Sequence, residues 1–286
     1  MYEIIGKQLL APKIYSLDIL APRVAKSALP GQFVIVIVDD NGERIPLTIC
    51  DSDKQKGTVN IVIQTSGAST KKLTDKEIGD TINDFVGPLG KPSEFIYEEL
   101  ENLKTQKILL VGGGVGVAPL LPQAKWLKER GVDVHIVTGS RNKEFIILED
   151  RFREITQNLF IATDDGSYGF HGMVTHAIEE LVNRGNHYDR CIAIGPMIMM
   201  KFTAMTTKKL NIPTVVSLNP IMIDGTGMCG ACRVTVDKET KFACVDGPEF
   251  DGHLVDFDEA LMRQSQYKEE EKEINHKHCR LTGGMF

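Results

Sequence analysis

Lys107-Ile-Leu-Leu-Val111-Gly-Gly-Gly-Val-Gly116-Val-Ala-Pro119 is the stretch from which the fold is read. Lys107–Val111 is a short apolar run of the kind that forms a buried strand. Glycines 112, 113, 114 and 116 follow it at once, and Pro119 suits the first turn of a helix. Leu120, Leu121, Ala124 and Leu127 then recur at helical spacing, and Gly131 is a helix stop. A glycine turn between a buried strand and a helix lets a pyrophosphate approach the backbone at the helix N-terminus, where free N–H groups favour anions. The string is not a strict G-x-G-x-x-G, since Val117 takes the last place, and no acid stands clearly where a ribose partner is usual. Read alone, it is also compatible with a plain turn.

Downstream the same rhythm repeats. Strands are expected at Val132–Val137, Leu159–Thr163, Arg190–Ile194 and Thr214–Ser217, alternating with helices at Glu144–Thr156, Met173–Asn183 and Met197–Leu210. Such alternation means a parallel sheet with helices on its faces. Ligands of these sheets bind beyond the carboxyl ends of the strands. Thr138-Gly-Ser140-Arg141, Asp164-Asp-Gly-Ser-Tyr-Gly169 and Gly195-Pro196-Met197 all stand at such ends. Arg141 is placed to meet a 2′-phosphate or equally to sit in solvent.

Upstream, residues 1–100 read as β structure. Apolar runs at Tyr2–Ile5, Ile14–Leu20, Phe33–Val38 and Asn60–Gln64 are separated by turn signals such as Pro30-Gly31 and Asp39-Asp40-Asn41-Gly42. Many short strands with turns between them suggest a small antiparallel barrel. Thr70–Lys76 is the one short helix expected there.

After Leu218 the pattern changes to a glycine-rich segment carrying Asp224-Gly-Thr-Gly-Met-Cys229-Gly-Ala-Cys232 and then Cys244. The spacing D-x4-C-x2-C-x11-C is that of a plant-type [2Fe-2S] loop with aspartate in the first cysteine's place. Glycines 225, 227 and 230 allow the backbone to curl around a cluster. A structural zinc site is the alternative, because Zn2+ also accepts Cys and Asp, but zinc ribbons pair two C-x2-C knuckles and only one is present. The charged run Lys268–Glu273 reads as a solvated helix face continuing from about Asp256, and His276–Phe286 as an irregular tail.

The net charge of −6 and pI near 5.7 argue against a nucleic-acid partner. No stretch is long and apolar enough to span a bilayer, and the N-terminus lacks the layout of a signal peptide, so a cytoplasmic protein is expected. Of six cysteines, Cys50, Cys191 and Cys279 are scattered, which is not a disulfide framework.

Taken together, Arg44-x-Pro-Leu-Thr48, Gly67-Ala-Ser69-Thr70, Gly87-Pro-Leu-Gly90, Gly112–Pro119, Asp164–Gly169, Gly195-Pro-Met197 and the cysteine segment resemble the ferredoxin–NADP reductase superfamily across nearly the whole chain. They look most like its small electron-transfer subunits with a C-terminal [2Fe-2S] domain. The resemblance implies an FAD-binding barrel at 1–100, an NAD(P)-binding α/β domain at 101–218 and a cluster domain with a C-terminal helix at 219–286. It gives Arg44 the FAD pyrophosphate, sets Pro46, Leu47 and Thr48 against the flavin, and adds Ser69 and Thr70 to that site. Gly113, Gly114 and Gly116 match the nicotinamide-nucleotide site, with Ser140 and Arg141 at the ribose and Gly195, Pro196 and Met197 around the nicotinamide. Asp224, Cys229, Cys232 and Cys244 are the implied cluster ligands. Ile194 stands where many members carry cysteine, so no thiol is expected near the nicotinamide. No side chain is assigned to catalysis, because the cofactors carry the chemistry.

Two branches fit. One is the electron-transfer subunit of dihydroorotate dehydrogenase, which uses four cysteines. The other is the small subunit of an NADH-dependent reduced ferredoxin:NADP+ oxidoreductase, whose relatives use one aspartate and three cysteines. Asp224 favours the second. A larger flavin/iron–sulfur subunit is then the expected partner, ferredoxin is met only indirectly, and NAD(H) is expected with NADP(H) as the alternative nucleotide. An independent NAD(P)H:ferredoxin reductase is the remaining enzyme reading.

Overall fold

A computed structural model describes residues 1–267. The N-terminal strands are β1 (Tyr2–Ala11), β2 (Ile14–Leu20), β3 (Phe33–Ile37), β4 (Arg44–Asp53), β5 (Thr58–Gln64), β6 (Thr81–Ile82) and β7 (Asp84–Leu89). They form one antiparallel sheet in the order β6-β1-β2-β5-β4-β3-β7, rolled into a nearly closed barrel. Alternate residues point inward, and Ile4, Leu17, Ile19, Val34, Val36, Val59 and Ile61 fill its core. Two short helices cover it: α1 (Pro22–Ser27), which buries Val24 and Ala25, and α2 (Ala68–Thr74).

Strand β4 changes partner along its length. Its first half, Arg44–Thr48, pairs with β3, and its second half pairs with β5. Pro46 therefore sits where its missing N–H leaves no second ladder unsatisfied. The helix expected at Thr70–Lys76 begins two residues earlier, because Thr70 Oγ1 accepts from the Gly67 N–H and caps the first turn.

A 3-10 turn at Glu94–Tyr97 and helix α3 (Leu100–Lys104) lead into the second sheet. Strands β8 (Lys107–Gly113), β9 (Asp133–Ser140), β10 (Leu159–Thr163), β11 (Phe170–His171), β12 (Arg190–Ile194) and β13 (Thr214–Ser217) are all parallel. Helices α4 (Leu120–Glu129), α5 (Glu149–Ile155), α6 (Val174–Asn183) and α7 (Met197–Lys209) alternate with them. The pleat sorts the central strand between two cores. Ile108 and Leu110 meet α4 and α5, while Leu109 and Val111 meet α6 and α7.

The expected helix at Glu144–Thr156 is divided. Asn142 caps a 3-10 turn at Lys143–Phe145, and α5 starts only after Leu148, which takes a φ of +59°. The glycine segment also differs from a direct strand-to-helix turn: β8 runs through Gly113, and a 3-10 turn at Gly114–Val117 precedes α4.

The C-terminal segment contributes a hairpin, β14 (Arg233–Val236) and β15 (Glu239–Phe242), turned through Asp237 and Lys238 at φ +50° and +64°. Its next strand, β16 (Glu249–Asp251), adds to the edge of the parallel sheet by pairing antiparallel with β13. Helix α8 (Phe257–Gln264) is capped by Asp256, which accepts from the Glu259 N–H, and ends at Ser265. The charged run Lys268–Glu273, the tail from His276 and Cys279 lie outside the described residues.

The three parts share contacts. Phe33 and Ile35 of the barrel pack with Cys232, Ala243 and Cys244. Asp51 of β4 pairs with Lys125 of α4 at 2.6 Å and with Arg151 of α5. Arg190 of β12 bonds Glu98 of the connecting segment at 2.6 Å. Among the described residues no helix is long and apolar enough to cross a membrane.

Candidate cofactor and cluster sites

The strand order places β8 between β9 and β12, so the chain leaves the centre of the sheet first one way and then the other. Beyond the carboxyl ends of such strands a crevice opens, which is where doubly wound sheets bind ligands. Gly112–Gly116 and Gly195–Met197 meet there. A Cβ on Gly116 would stand 2.4 Å from the Ile194 carbonyl oxygen and 2.5 Å from the Gly195 Cα. Only glycine permits that backbone-on-backbone contact. A Cβ on Gly113 would strike Met199 Sδ at 2.3 Å, and the same methionine lies against Gly195. Met199 is thus part of the crevice wall. It was not singled out in the sequence, although it follows Pro196 by one helical turn.

Ser140 and Arg141 leave the next strand. Ser140 Oγ donates to the Asn142 carbonyl, and the Asp164 N–H donates to the Ser140 carbonyl, which brings the 164–169 turn alongside. Arg141 is exposed. Ser140 lines a small cleft with Val117, Thr138, Gly139 and Phe145. Gly113, Gly114, Gly116, Ser140, Gly195, Pro196 and Met197 are therefore gathered at one end of the sheet.

On the barrel, Arg44, Pro46, Leu47 and Thr48 form a half-buried run. Ser69 Oγ donates to Glu43, so the turn that starts α2 is tied beside this run. Thr70 is occupied in capping α2. Arg44 reaches further: its Nε and Nη2 donate to the backbone carbonyl of Asp224 at 3.2 and 2.9 Å. That contact joins residues 180 positions apart, and no local pattern announces it.

The cysteine segment is partly assembled. Cys232 and Cys244 are buried, with their Sγ atoms 3.2 Å apart. Cys229 is exposed. The Asp224 carboxylate is turned onto its own loop: Oδ2 accepts from the Thr226 N–H at 3.0 Å and from the Thr226 hydroxyl. The Thr226 hydroxyl is the main reason that this carboxyl sits below the usual range, and the Arg44 charge adds to it. As placed, no three His, Cys, Asp or Glu groups among the described residues converge tightly enough to hold a metal ion. Asp224 and Cys229 would have to turn towards the Cys232–Cys244 pair.

The donors nevertheless suit an iron–sulfur group. Three thiols and one carboxylate lie on one curled segment, and backbone N–H groups point at the sulfurs. The Ala231 N–H is the chief cause of a lowered Cys229 pKa. The Gly227 N–H opposes the burial that pushes Cys244 up to about 12. N–H groups aimed at sulfur stabilise the thiolate charge that ligation requires.

Glu249 was also not foreseen. Its Oε1 accepts from Ser93 Oγ at 2.9 Å and from Gln123 Nε2 at 2.7 Å, and both partners are fully buried. Burial lifts its carboxyl to about 7, with Glu94 adding to the shift. Three separate parts of the chain meet on this one oxygen. The signal is tertiary, since Ser93, Gln123 and Glu249 are far apart in sequence.

Residues 219–256 match the model of the iron–sulfur cluster binding domain of dihydroorotate dehydrogenase B. A Clostridium beijerinckii protein encoded in the adh 3′ region is 60% identical over 95% of this chain and 92% of its own length. A Thermotoga maritima homologue of the dihydroorotate dehydrogenase B (NAD+) electron-transfer subunit is 49% identical, covering 99% of this chain and 96% of its own. The solved structure of an NADH-dependent reduced ferredoxin-NADP oxidoreductase, described for flavin-based electron bifurcation, superposes with a TM-score of 0.89 at 47% identity, over 97% of this chain and 98% of that one.

Proposed function

Because this chain belongs to the family of dihydroorotate dehydrogenase B-type electron-transfer subunits, we propose that it is the small flavin/iron–sulfur subunit of an NADH-dependent reduced ferredoxin:NADP+ oxidoreductase. The observation that carries this choice within the family is Asp224, which takes the first ligand position ahead of three cysteines. When bound, FAD exchanges hydride with the nicotinamide and a [2Fe-2S] cluster moves single electrons onward.

The chain's own residues hold and orient these groups. Arg44, Pro46, Leu47 and Thr48, with Ser69 and Thr70, form the flavin shelf on the open half of β4. Gly113, Gly114 and Gly116 present backbone N–H groups to the nucleotide phosphates, and Ser140 and Arg141 meet the ribose. Gly195, Pro196 and Met197 shape the nicotinamide pocket, which Ile194 leaves without a thiol. NADH is favoured over NADPH on the family resemblance alone, since the exposed Arg141 fits either nucleotide. Asp224, Cys229, Cys232 and Cys244 ligate the cluster. The division expected from the sequence, 1–100, 101–218 and 219–286, is kept as part of this reading.

Electrons have to leave at the exposed side of the cluster loop. Met228, Ile223 and Val245 are exposed apolar side chains around it, the first of them 86% accessible. Such residues mark a docking face for a larger flavin/iron–sulfur subunit that carries the terminal chemistry. Ferredoxin is then met through that subunit, within the cytoplasm. The four-cysteine dihydroorotate dehydrogenase branch is the competing reading.

The test is a visible spectrum with iron and flavin analysis on anaerobically purified protein, before and after Asp224→Cys. A flavin envelope with broad iron–sulfur absorption that changes in the variant is the expected result. A cluster spectrum indifferent to the substitution would remove Asp224 from the ligand set and with it the choice of branch. A colourless zinc protein would remove the electron-transfer account.

A further inference from the structure

The segment between Asp224 and Cys232 is held by three guanidinium groups, each donating to a backbone carbonyl. Arg233 Nη1 of β14 reaches the Gly230 carbonyl at 3.3 Å, and Arg263 Nη2 of α8 reaches that of Ala231 at 3.1 Å. Both belong to the C-terminal segment itself. The third, Arg44, comes from the barrel and grips the carbonyl of Asp224. The loop is registered on the same part of the barrel by packing: a Cβ on Gly225 would lie 2.7 Å from Ile35 Cγ1. Ile35 is the direct cross-strand partner of Pro46, two residues from Arg44.

A guanidinium carries five N–H groups in a fixed fork. The Asp224 carbonyl engages Nε and Nη2, so N–H donors remain for an anion. The half of β4 that carries Arg44 pairs on one side with β3 and not with β5. An anion that reaches the remaining N–H groups meets an arginine already committed, through Nε and Nη2, to the cluster loop.

We propose that Arg44 is a positioning residue that links flavin occupancy to cluster retention, holding the FAD pyrophosphate with one part of its guanidinium and the Asp224 carbonyl with the other. The inference rests on the function proposed above for its flavin half; the loop half is geometry. A ligand that immobilises the guanidinium strengthens its grip on Asp224, and by thermodynamic reciprocity a loaded loop strengthens flavin binding. Arg233 and Arg263 hold the far end of the loop from within the C-terminal segment, so neither of them carries this linkage.

The experiment follows iron release from the full-length protein to a ferrous chelator, with FAD bound, after FAD removal, and after FAD is restored. Wild type is expected to lose iron about tenfold faster without FAD, within the usual range of coupling between two sites, and to recover on re-addition. Arg44→Gln is expected to lose iron quickly whether or not FAD is present. Arg44→Lys, which keeps the charge but not the fork, is expected to restore flavin binding more than the linkage. Arg263→Gln is expected to speed iron loss while keeping its dependence on FAD. A wild-type protein that takes up both groups and releases iron at one rate overturns the inference and leaves the proposed function standing. So does an Arg44→Gln protein that keeps the dependence. A chain that takes up no FAD overturns the proposed function and this inference together.

Discussion

Residues 112–116 and residues 225–230 are both glycine-dense, and Gly116 and Gly230 are needed for different reasons. In the first, Gly116 lies against the backbone of Ile194 and Gly195, with no space for a side chain. In the second, Gly230 has a φ of +68°, and the nearest atom to its missing Cβ is a Phe242 ring carbon at 3.6 Å. Gly116 is specified by crowding and Gly230 by backbone conformation; each turn also holds one glycine of the other kind, Gly114 at φ +56° with open space around it and Gly225 against Ile35. The first is walled by the buried strand β8 and by helix α7. The second has two of its proposed ligands turned away, Asp224 onto Thr226 and Cys229 towards solvent. Three arginines hold its carbonyls. On the function proposed above, the nucleotide turn is preorganised by packing, whereas the cluster turn is completed by its ligand.

Gly116→Ala is the strongest way to break that contrast. The added methyl would meet a backbone carbonyl, which cannot swing aside as a side chain can. Overpacking of this kind is expected to cost about 3 kcal/mol, read as a lowered denaturation midpoint, together with loss of nucleotide binding. The cluster absorption of whatever protein remains folded should be unchanged. A variant as stable as wild type would show that the crevice is looser than its geometry implies.

The second prediction concerns the strand that joins the two regions. Glu249 stands on β16, which carries the cluster segment onto the edge of the nucleotide sheet. Its carboxyl is raised from 4.5 to about 7 by burial first, then by Glu94, while Ser93, Gln123 and Arg190 oppose the shift. A raised acid is one whose protonated form the fold prefers. The stability it contributes is complete below about pH 4.5 and is lost as the pH rises through about 7. At roughly 1.4 kcal/mol per pK unit, the loss is at most about 3.5 kcal/mol. We expect about 2 kcal/mol between mildly acidic and mildly alkaline conditions, taken as wild type minus Glu249→Gln. The glutamine stays neutral and can also donate to Gln123 Oε1, which has no partner among the described residues. Parallel pH–stability curves for the two proteins would mean that Glu249 is solvated.

Much of this was legible in the sequence, and the parts that were not share a physical cause. Leu159–Thr163, Arg190–Ile194 and Thr214–Ser217 were read at the residues where the strands form, because short buried strands are apolar on both faces and bounded by turns. The first half of β4 gave no such signal. Its side chains are half-buried and it contains Pro46. It was noticed only because a family string runs through it. β16 is three residues long and antiparallel in a parallel sheet, so no periodicity could mark it. In the cysteine segment the spacing of the proposed ligands is visible because it is local. The Arg44–Asp224 contact, the wall formed by Met199 and the Ser93–Glu249–Gln123 junction are long-range, and no residue in them is unusual for its own neighbourhood.

Gly230→Ala is the smallest expected effect and the one that sharpens the comparison. Alanine at a φ of +68° suffers the left-handed strain of any L-residue, about 1 kcal/mol. It meets no steric obstacle, because 3.6 Å to Phe242 is an ordinary contact. The turn also has a way to absorb the strain. Its carbonyl at Gly230 is held by an arginine side chain at 3.3 Å, which can follow a small shift. We therefore expect iron-loaded Gly230→Ala to fold, keep its cluster and lose about a third of what Gly116→Ala loses, about 1 kcal/mol against about 3. The two denaturation midpoints, measured side by side on loaded protein, decide the matter. If Gly230→Ala proves as damaging as Gly116→Ala, the cluster turn is as tightly specified as the nucleotide turn, and its dependence on a ligand for completion would have to be abandoned.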